Sequence, residues 1–186
     1  SIGEENGQAV KTLLLVGAKS RGKSTFINGL VNYLFEVDFD DKYRFKIISN
    51  EDGAIAVTVY TTSSLSYNIR IVNIPGFDDS KKDGDFVNGV LENCRKLKVD
   101  KISEICYVVK SNDSSLAKNE KNFFRKLSDV FGATPVVVAN FCDADEPQVS
   151  KALREKEIRF EKLFKFNNSH IFVESSDQSD WDKGVL

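Results

Sequence analysis

The sequence holds no methionine, one histidine, one tryptophan, three prolines and three cysteines in 186 residues, and each shortage narrows what the chain can be. Without methionine, and opening at Ser1, it reads as a piece of a longer protein. Cys94, Cys106 and Cys142 are odd in number and lack Cys-x-x-Cys spacing, so neither a disulfide framework nor a zinc site is indicated and a reducing, cytoplasmic setting fits. Cys106 lies in an apolar run and reads as a small buried hydrophobe. The lone His170 begins a predicted strand, as a packing residue rather than a catalytic base. No run approaches the roughly 18 apolar residues of a membrane span, and the start lacks the apolar core of a signal peptide. A surplus of charge is missing too. Lys and Arg number 26 against 28 Asp and Glu, so no overall field drives the chain onto nucleic acid or anionic lipid. Lys81-Lys82 and the basic residues of 154–162 are interleaved with acids and read as solvated faces. There is no internal repeat and no low-complexity tract.

What is present is ample core material. A content of 41% hydrophobic and 11% aromatic residues suits one domain over 1–186 with a sheet in its core. Apolar runs bounded by turn residues recur at 12–16, 54–60, 67–74, 102–109, 135–139 and 170–173, several rich in Val and Ile as buried strands are. Helical spacing fills 25–35, 86–97, 116–131 and 149–164, where Val149, Leu153, Phe160 and Phe164 form an apolar stripe interrupted by Lys156. Alternating strands and helices predict an α/β fold with a mostly parallel six-stranded sheet covered by helices on both faces. Residues 36–53 are long, charged and poorly periodic, the kind of segment that orders around a ligand or stays mobile. After 173 only a very short or truncated last helix is expected, with Trp181 as its large apolar anchor.

Between the first run and the first helix stands Gly17-Ala18-Lys19-Ser20-Arg21-Gly22-Lys23-Ser24, a complete G-x-x-x-x-G-K-[ST] phosphate-binding loop. Its glycines let backbone N–H groups close around a polyphosphate. Lys23 reaches the β- and γ-phosphates, Ser24 holds magnesium, and the helix N-terminus, from Thr25, turns its positive dipole end to the anion. A plain strand-to-helix turn has no need of Lys23-Ser24 in register. Ligands of such sheets bind outside the carboxyl ends of the strands, where this loop lies.

Two further motifs follow strands. Asn73-Ile74-Pro75-Gly76 ends the third and Asn140-Phe141-Cys142-Asp143 the fifth, in the order and spacing of the D-x-P-G switch and N-K-x-D base-recognition motifs of GTPases. Each alone could be a polar turn. Asp143 can accept two hydrogen bonds from N1–H and the exocyclic amine of guanine, a pattern adenine does not offer, and a buried carboxylate there rejects the wrong base. Asn140 braces that loop, and Glu174-Ser175-Ser176 fall where a loop touching guanine O6 would be. Within this class the chain resembles the septin/GIMAP (immunity-associated) branch of P-loop GTPases. The likeness rests on the run Gly22 to Leu30, on Tyr67 to Val72 leading into Asn73 to Ser80, on Asn140 to Asp143 and on Phe164 to Ser169. The resemblance implies a G domain that binds GTP or GDP with magnesium, hydrolyses slowly, and pairs with a second copy across the nucleotide face.

The departures from that pattern shape the functional expectation. Asn73, a neutral amide, stands where the switch motif has Asp, weakening support of magnesium through water. Counting back from Val57 to Tyr60, Ala54 occupies the first-switch Thr position; Thr58 does so only if the strand begins later. No Gln follows Gly76 to position water. Phe141 replaces a Lys that packs along the nucleotide, and an aromatic edge can partly substitute. Lys19 and Ser20 lie near the γ-phosphate, Lys19 more simply projecting into solvent. Three readings compete: a slow GTP hydrolase, a module that holds guanine nucleotide for assembly or switching with hydrolysis largely lost, and an ATP-dependent small-molecule kinase. Asn73 and Ala54 favour the second; Asn140 to Asp143 disfavours the third.

Overall fold

A computed structural model describes residues 1–38, 40–48, 54–60, 66–77, 83–116 and 120–167. Six strands and four helices appear there: β1 (Val10–Val16), α1 (Lys23–Leu34), β2 (Ile55–Val59), β3 (Asn68–Asn73), α2 (Asp83–Lys96), β4 (Glu104–Lys110), α3 (Glu120–Phe131), β5 (Val136–Asn140), α4 (Gln148–Glu155) and β6 (Leu163–Lys165). The sheet runs β2-β3-β1-β4-β5-β6. Only β2 is antiparallel to its neighbour; every other pairing is parallel.

Strict two-residue alternation splits the core, because successive strand side chains face opposite ways. Leu14 and Val16, Val72, Ile105, Tyr107 and Val109, Val137 and Ala139 pack with α2, α3 and α4. Leu15, Ile69 and Ile71, Cys106 and Val108, Val136 and Val138 pack with α1 through Phe26, Ile27, Val31 and Leu34. Both faces of the sheet are therefore covered, as expected. Strands buried on both sides read as continuous Val/Ile/Leu runs, which is why five of the six were legible.

The sixth strand corrects the expectation. A helix over 149–164 is not formed: α4 stops at Glu155, Glu157 takes a left-handed φ of 51°, and Ile158 is buried in the core with Phe160 packed against it. The chain then returns as β6, pairing Val137 with Leu163 and Ala139 with Lys165. The predicted strand 170–173, with His170, Glu174, Ser175 and Trp181, lies outside the described residues. No helix among those described is long and apolar enough to cross a membrane.

Candidate functional site

The strand order changes direction at β1: β3 lies on one side of it and β4, next in sequence, on the other. This opens a crevice at the carboxyl ends of the parallel strands. The loop after β1 fills it, pressed so closely on its neighbours that glycines are obligatory. A Cβ on Gly17 would stand 2.5 Å from the Val108 carbonyl, and one on Gly22, which has φ 84°, would stand 2.2 Å from Asn140 Nδ2 and 2.7 Å from the Phe141 ring.

Lys23 opens α1 with only 8% of its surface exposed. Its Nζ donates to the carbonyls of Gly17 and Ala18, each at 3.1 Å, and burial brings its pKa down to about 8. Ser24 and Thr25 follow, half-buried. The loop after β3 closes over this lysine: a Cβ on Gly76 would lie 2.7 Å from the Lys19 backbone nitrogen and 2.8 Å from Lys23 Nζ. The Lys19 N–H donates to the Phe77 carbonyl at 2.8 Å, and the buried Phe77 ring sits 4.7 Å from Phe86 and 5.2 Å from Phe123 between centroids. Lys19 and Ser20 are exposed on the outer turn.

The loops after β4, β5 and β6 are bonded to the first loop and to one another. Fully buried Asn140 donates from Nδ2 to the Gly22 carbonyl at 2.9 Å. The Phe141 carbonyl accepts from Ser111 Oγ at 2.7 Å, and Phe141, at φ 58°, lays its ring against Gly22. The Cys142 N–H donates to the Phe166 carbonyl at 2.8 Å. Arg21 forms an ion pair with Asp113, whose Oδ2 also accepts the Lys110 N–H at 3.1 Å. That pair commits the Arg21 side chain to the loop after β4, so toward a phosphate it offers its backbone.

A family model described as the AIG1 family matches residues 11–153. The chain belongs to the AIG1 family. No curated protein sequence matches it. Among solved structures, Toc33 from Arabidopsis thaliana in complex with Mg2+ and GMPPNP is 15% identical, with a TM-score of 0.55 over 93% of this chain and 76% of that one. The structure described as showing that dimerization is important for the GTPase activity of the chloroplast translocon components atToc33 and psToc159 is 16% identical, with a TM-score of 0.58 over 92% and 74%. Era from Aquifex aeolicus bound to GDP·AlF4− is 15% identical, with a TM-score of 0.57 over 86% and 52%. At such identities the likeness establishes the GTPase fold.

Several expected positions can now be placed in this AIG1-family chain. Asn73 is 4% exposed and its Oδ1 has no hydrogen-bond partner, alone in this among the buried side-chain atoms described. By alternation it shares the face of Ile69 and Ile71, the face that α1 covers. A bare acceptor at the carboxyl end of β3, on the face that α1 covers, fits a water on a magnesium ion. Ala54, in contrast, packs with Ala56 against the core under α2, on the other face of the sheet from Ser24. The expectation that it occupies the magnesium-binding hydroxyl's place is therefore corrected. Thr58 is no substitute, because β2 begins at Ile55 and Thr58 pairs with Arg70, away from the crevice. Asp143 was expected to be a buried carboxylate and is exposed; a base seated against it would have to supply the desolvation. No group of three or more His, Cys, Asp or Glu among the described residues could hold a metal by itself.

Sequence reasoning missed Asn167, which is buried directly after β6 where that strand's end joins the β5 loop. Glu174 and Ser175, named for this corner, lie outside the described residues. The run Phe164 to Ser169 carried the usable signal.

Proposed function

We propose that this chain is a guanine-nucleotide-binding G domain, a nucleotide-dependent switch or assembly module that hydrolyses GTP very slowly. The observation that carries the reading is the closure of the loops after β1, β3 and β5 on Lys23: Gly76 and Gly22 stand where no Cβ fits, around a buried ammonium. Such a cradle of backbone N–H groups and one cation suits a polyphosphate at a helix N-terminus. In this reading the backbone of residues 17–22 and Lys23 hold the phosphates, and Ser24 holds magnesium, with water-mediated support from Asn73. Magnesium there supplies charge neutralisation between the phosphates. Asp143 reads guanine, Phe141 flanks the nucleotide, and Asn140 and Asn167 shape the base corner.

Slow turnover follows from the chain's own residues. The switch carboxylate is an amide and no Gln follows Gly76. Arg21, paired with Asp113, is not at hand as a charge for the transition state, and a single arginine is worth on the order of 10³ to 10⁵ in stimulated GTPases. A cytoplasmic setting is part of the proposal, in keeping with three buried free thiols; nucleic acid has no part in it.

Two measurements test this. Denaturing the purified protein and chromatographing the supernatant should release GDP or GTP, and calorimetric titration should show GDP bound far more tightly than ADP; equal affinity for the two ends the reading. A second reading, hydrolysis stimulated when two copies pair across the nucleotide face, draws on the dimerization reported as important for GTPase activity in the chloroplast translocon components. It requires turnover per molecule to climb with protein concentration.

A further inference from the structure

Ser24, Asn28 and Asn32 stand four residues apart on α1 and so form one stripe along the helix. The last two are buried at 3% and 1% exposure, deep enough that their amides must be paired. Their partners all lie on one stretch of backbone. Asn32 Nδ2 donates to the Phe45 carbonyl at 2.7 Å and Oδ1 accepts the Phe45 N–H at 2.8 Å. Asn28 Nδ2 donates to the Ile48 carbonyl at 2.9 Å, and Oδ1 accepts the N–H groups of Ile47 at 2.8 Å and Ile48 at 3.0 Å. Asn32 Nδ2 also reaches the backbone carbonyl of Asn28, one turn earlier in α1, at 2.8 Å. The segment belongs to no strand of the sheet, yet its main chain is satisfied as if it did, with asparagine amides taking the place of a neighbouring strand's peptide groups.

We propose that Asn28 and Asn32 form an amide clamp, a pair of positioning residues that fixes residues 45–48, the chain that leads toward β2, to the helix that begins with Lys23 and Ser24. The inference rests on the nucleotide-binding reading above. Ile48, itself in the core under α1, is one anchor; Ile55, paired with Asn73 at the crevice, is the other. Because the first anchor rides on α1, the starting point of residues 49–54 and the phosphate-holding end of the helix are parts of one rigid element. All of these bonds are internal to the chain, so binding need not supply the ordering of that entry. Loss of the clamp should therefore appear as faster nucleotide release, caused by two residues that touch no nucleotide.

The test uses the whole chain and two readouts. In NMR-detected amide exchange, Phe45, Ile47 and Ile48 should be protected in the wild type. Asn28→Ala should lose protection at Ile47 and Ile48 but not at Phe45, Asn32→Ala the reverse, and Asn28→Asp, which retains the acceptor oxygen, should keep the Ile47 and Ile48 amides protected. Release of a fluorescent GDP analogue should accelerate roughly five- to tenfold in each alanine variant, the scale of one to two hydrogen bonds, and less in Asn28→Asp. Should Asn28→Ala fail to fold, Asn32→Ala carries the comparison. Fast exchange at all three wild-type amides, or unchanged release from a folded variant that has lost protection, overturns the clamp. A wild type that binds no guanine nucleotide would sink the functional reading instead, and with it the effect on release, while the exchange pattern would still decide whether the clamp exists.

Discussion

Lys23 gives the site a pH signature of opposite sign in stability and in binding. Burial lowers its pKa from 10.5 to about 8, a difference of about 2.5 units, so holding the charged form in the fold costs on the order of 3 kcal/mol. Unfolded Lys23 keeps its proton up to 10.5 while the folded residue releases it near 8. Between these values the unfolded state binds more protons, so this residue's share of stability rises with pH; the penalty is complete below about 8 and gone above 10.5. A phosphate beside the ammonium restores the proton, and GDP affinity should respond the other way. It should be flat from pH 6 to about 8, then fall, reaching about tenfold weaker at pH 9 and about thirtyfold at pH 9.5. Calorimetric titration at pH 8.5 in two buffers of different ionisation enthalpy should register uptake of roughly three quarters of a proton. Lys23→Arg is the control, since a guanidinium keeps its charge throughout and any titration of the base is common to both proteins. Affinity that stays flat to pH 9.5, or the same decline and proton uptake in Lys23→Arg, would refute the assignment of this lysine.

Three further outcomes are expected. Asp143→Asn should weaken GDP binding by about 2 kcal/mol while leaving GDP and ADP nearly equal; retained preference for GDP in titration would move base recognition elsewhere. Gly76→Ala should cut nucleotide affinity at least roughly tenfold, because its Cβ would stand 2.7 Å from the Lys19 backbone nitrogen, a contact that cannot be relieved by a rotamer change. Gly89→Ala, where a Cβ meets nothing within 4 Å, should bind as the wild type does. Asn73→Asp places a carboxylate at a buried position, so thermal unfolding with GDP and EDTA should come earlier than in the wild type and magnesium should recover it; identical melting with and without magnesium would argue against a metal at Ser24.

Most of the architecture was legible because its cause is local and repetitive. Strands buried on both faces must be runs of Val, Ile and Leu, and a phosphate loop must carry glycines where backbone meets backbone, so Gly17, Gly22 and Lys23 could be read without coordinates. The failures have causes of another kind. Phe160 and Phe164 keep helical spacing after α4 has ended, because the left-handed residue at Glu157 is invisible to periodicity; the helix was read through β6 as a result, and Asn167 behind it was missed. The face of Ala54 depended on the parity of β2, where one residue's difference exchanges one core for the other. The Arg21–Asp113 pair joins loops far apart in sequence, and nothing local to either residue announces it.

The bonds within the site are unevenly distributed, and that distribution bears on what a nucleotide can move. Loops after β1, β4, β5 and β6 are joined by direct polar contacts: Asn140 to Gly22, Arg21 to Asp113, Ser111 to Phe141, and Cys142 to Phe166. Shifting any one of them breaks hydrogen bonds in a buried setting, at about 1 to 3 kcal/mol for each group left bare. The loop after β3 is held otherwise. Among its described residues, Phe77 bridges to Ala18 and accepts the Lys19 N–H at its carbonyl, and the Phe77 ring lies among Phe86 of α2 and Phe123 of α3. Ring contacts are less directional than hydrogen bonds and can survive a slide of packed helices. A displacement of Gly76, adjacent to the lysine that meets phosphate, would thus be passed through Phe77 to α2 and α3, while the base corner keeps its geometry. Directional bonds at the base corner and apolar, slidable packing beyond Gly76 are the arrangement that the proposed switch role requires.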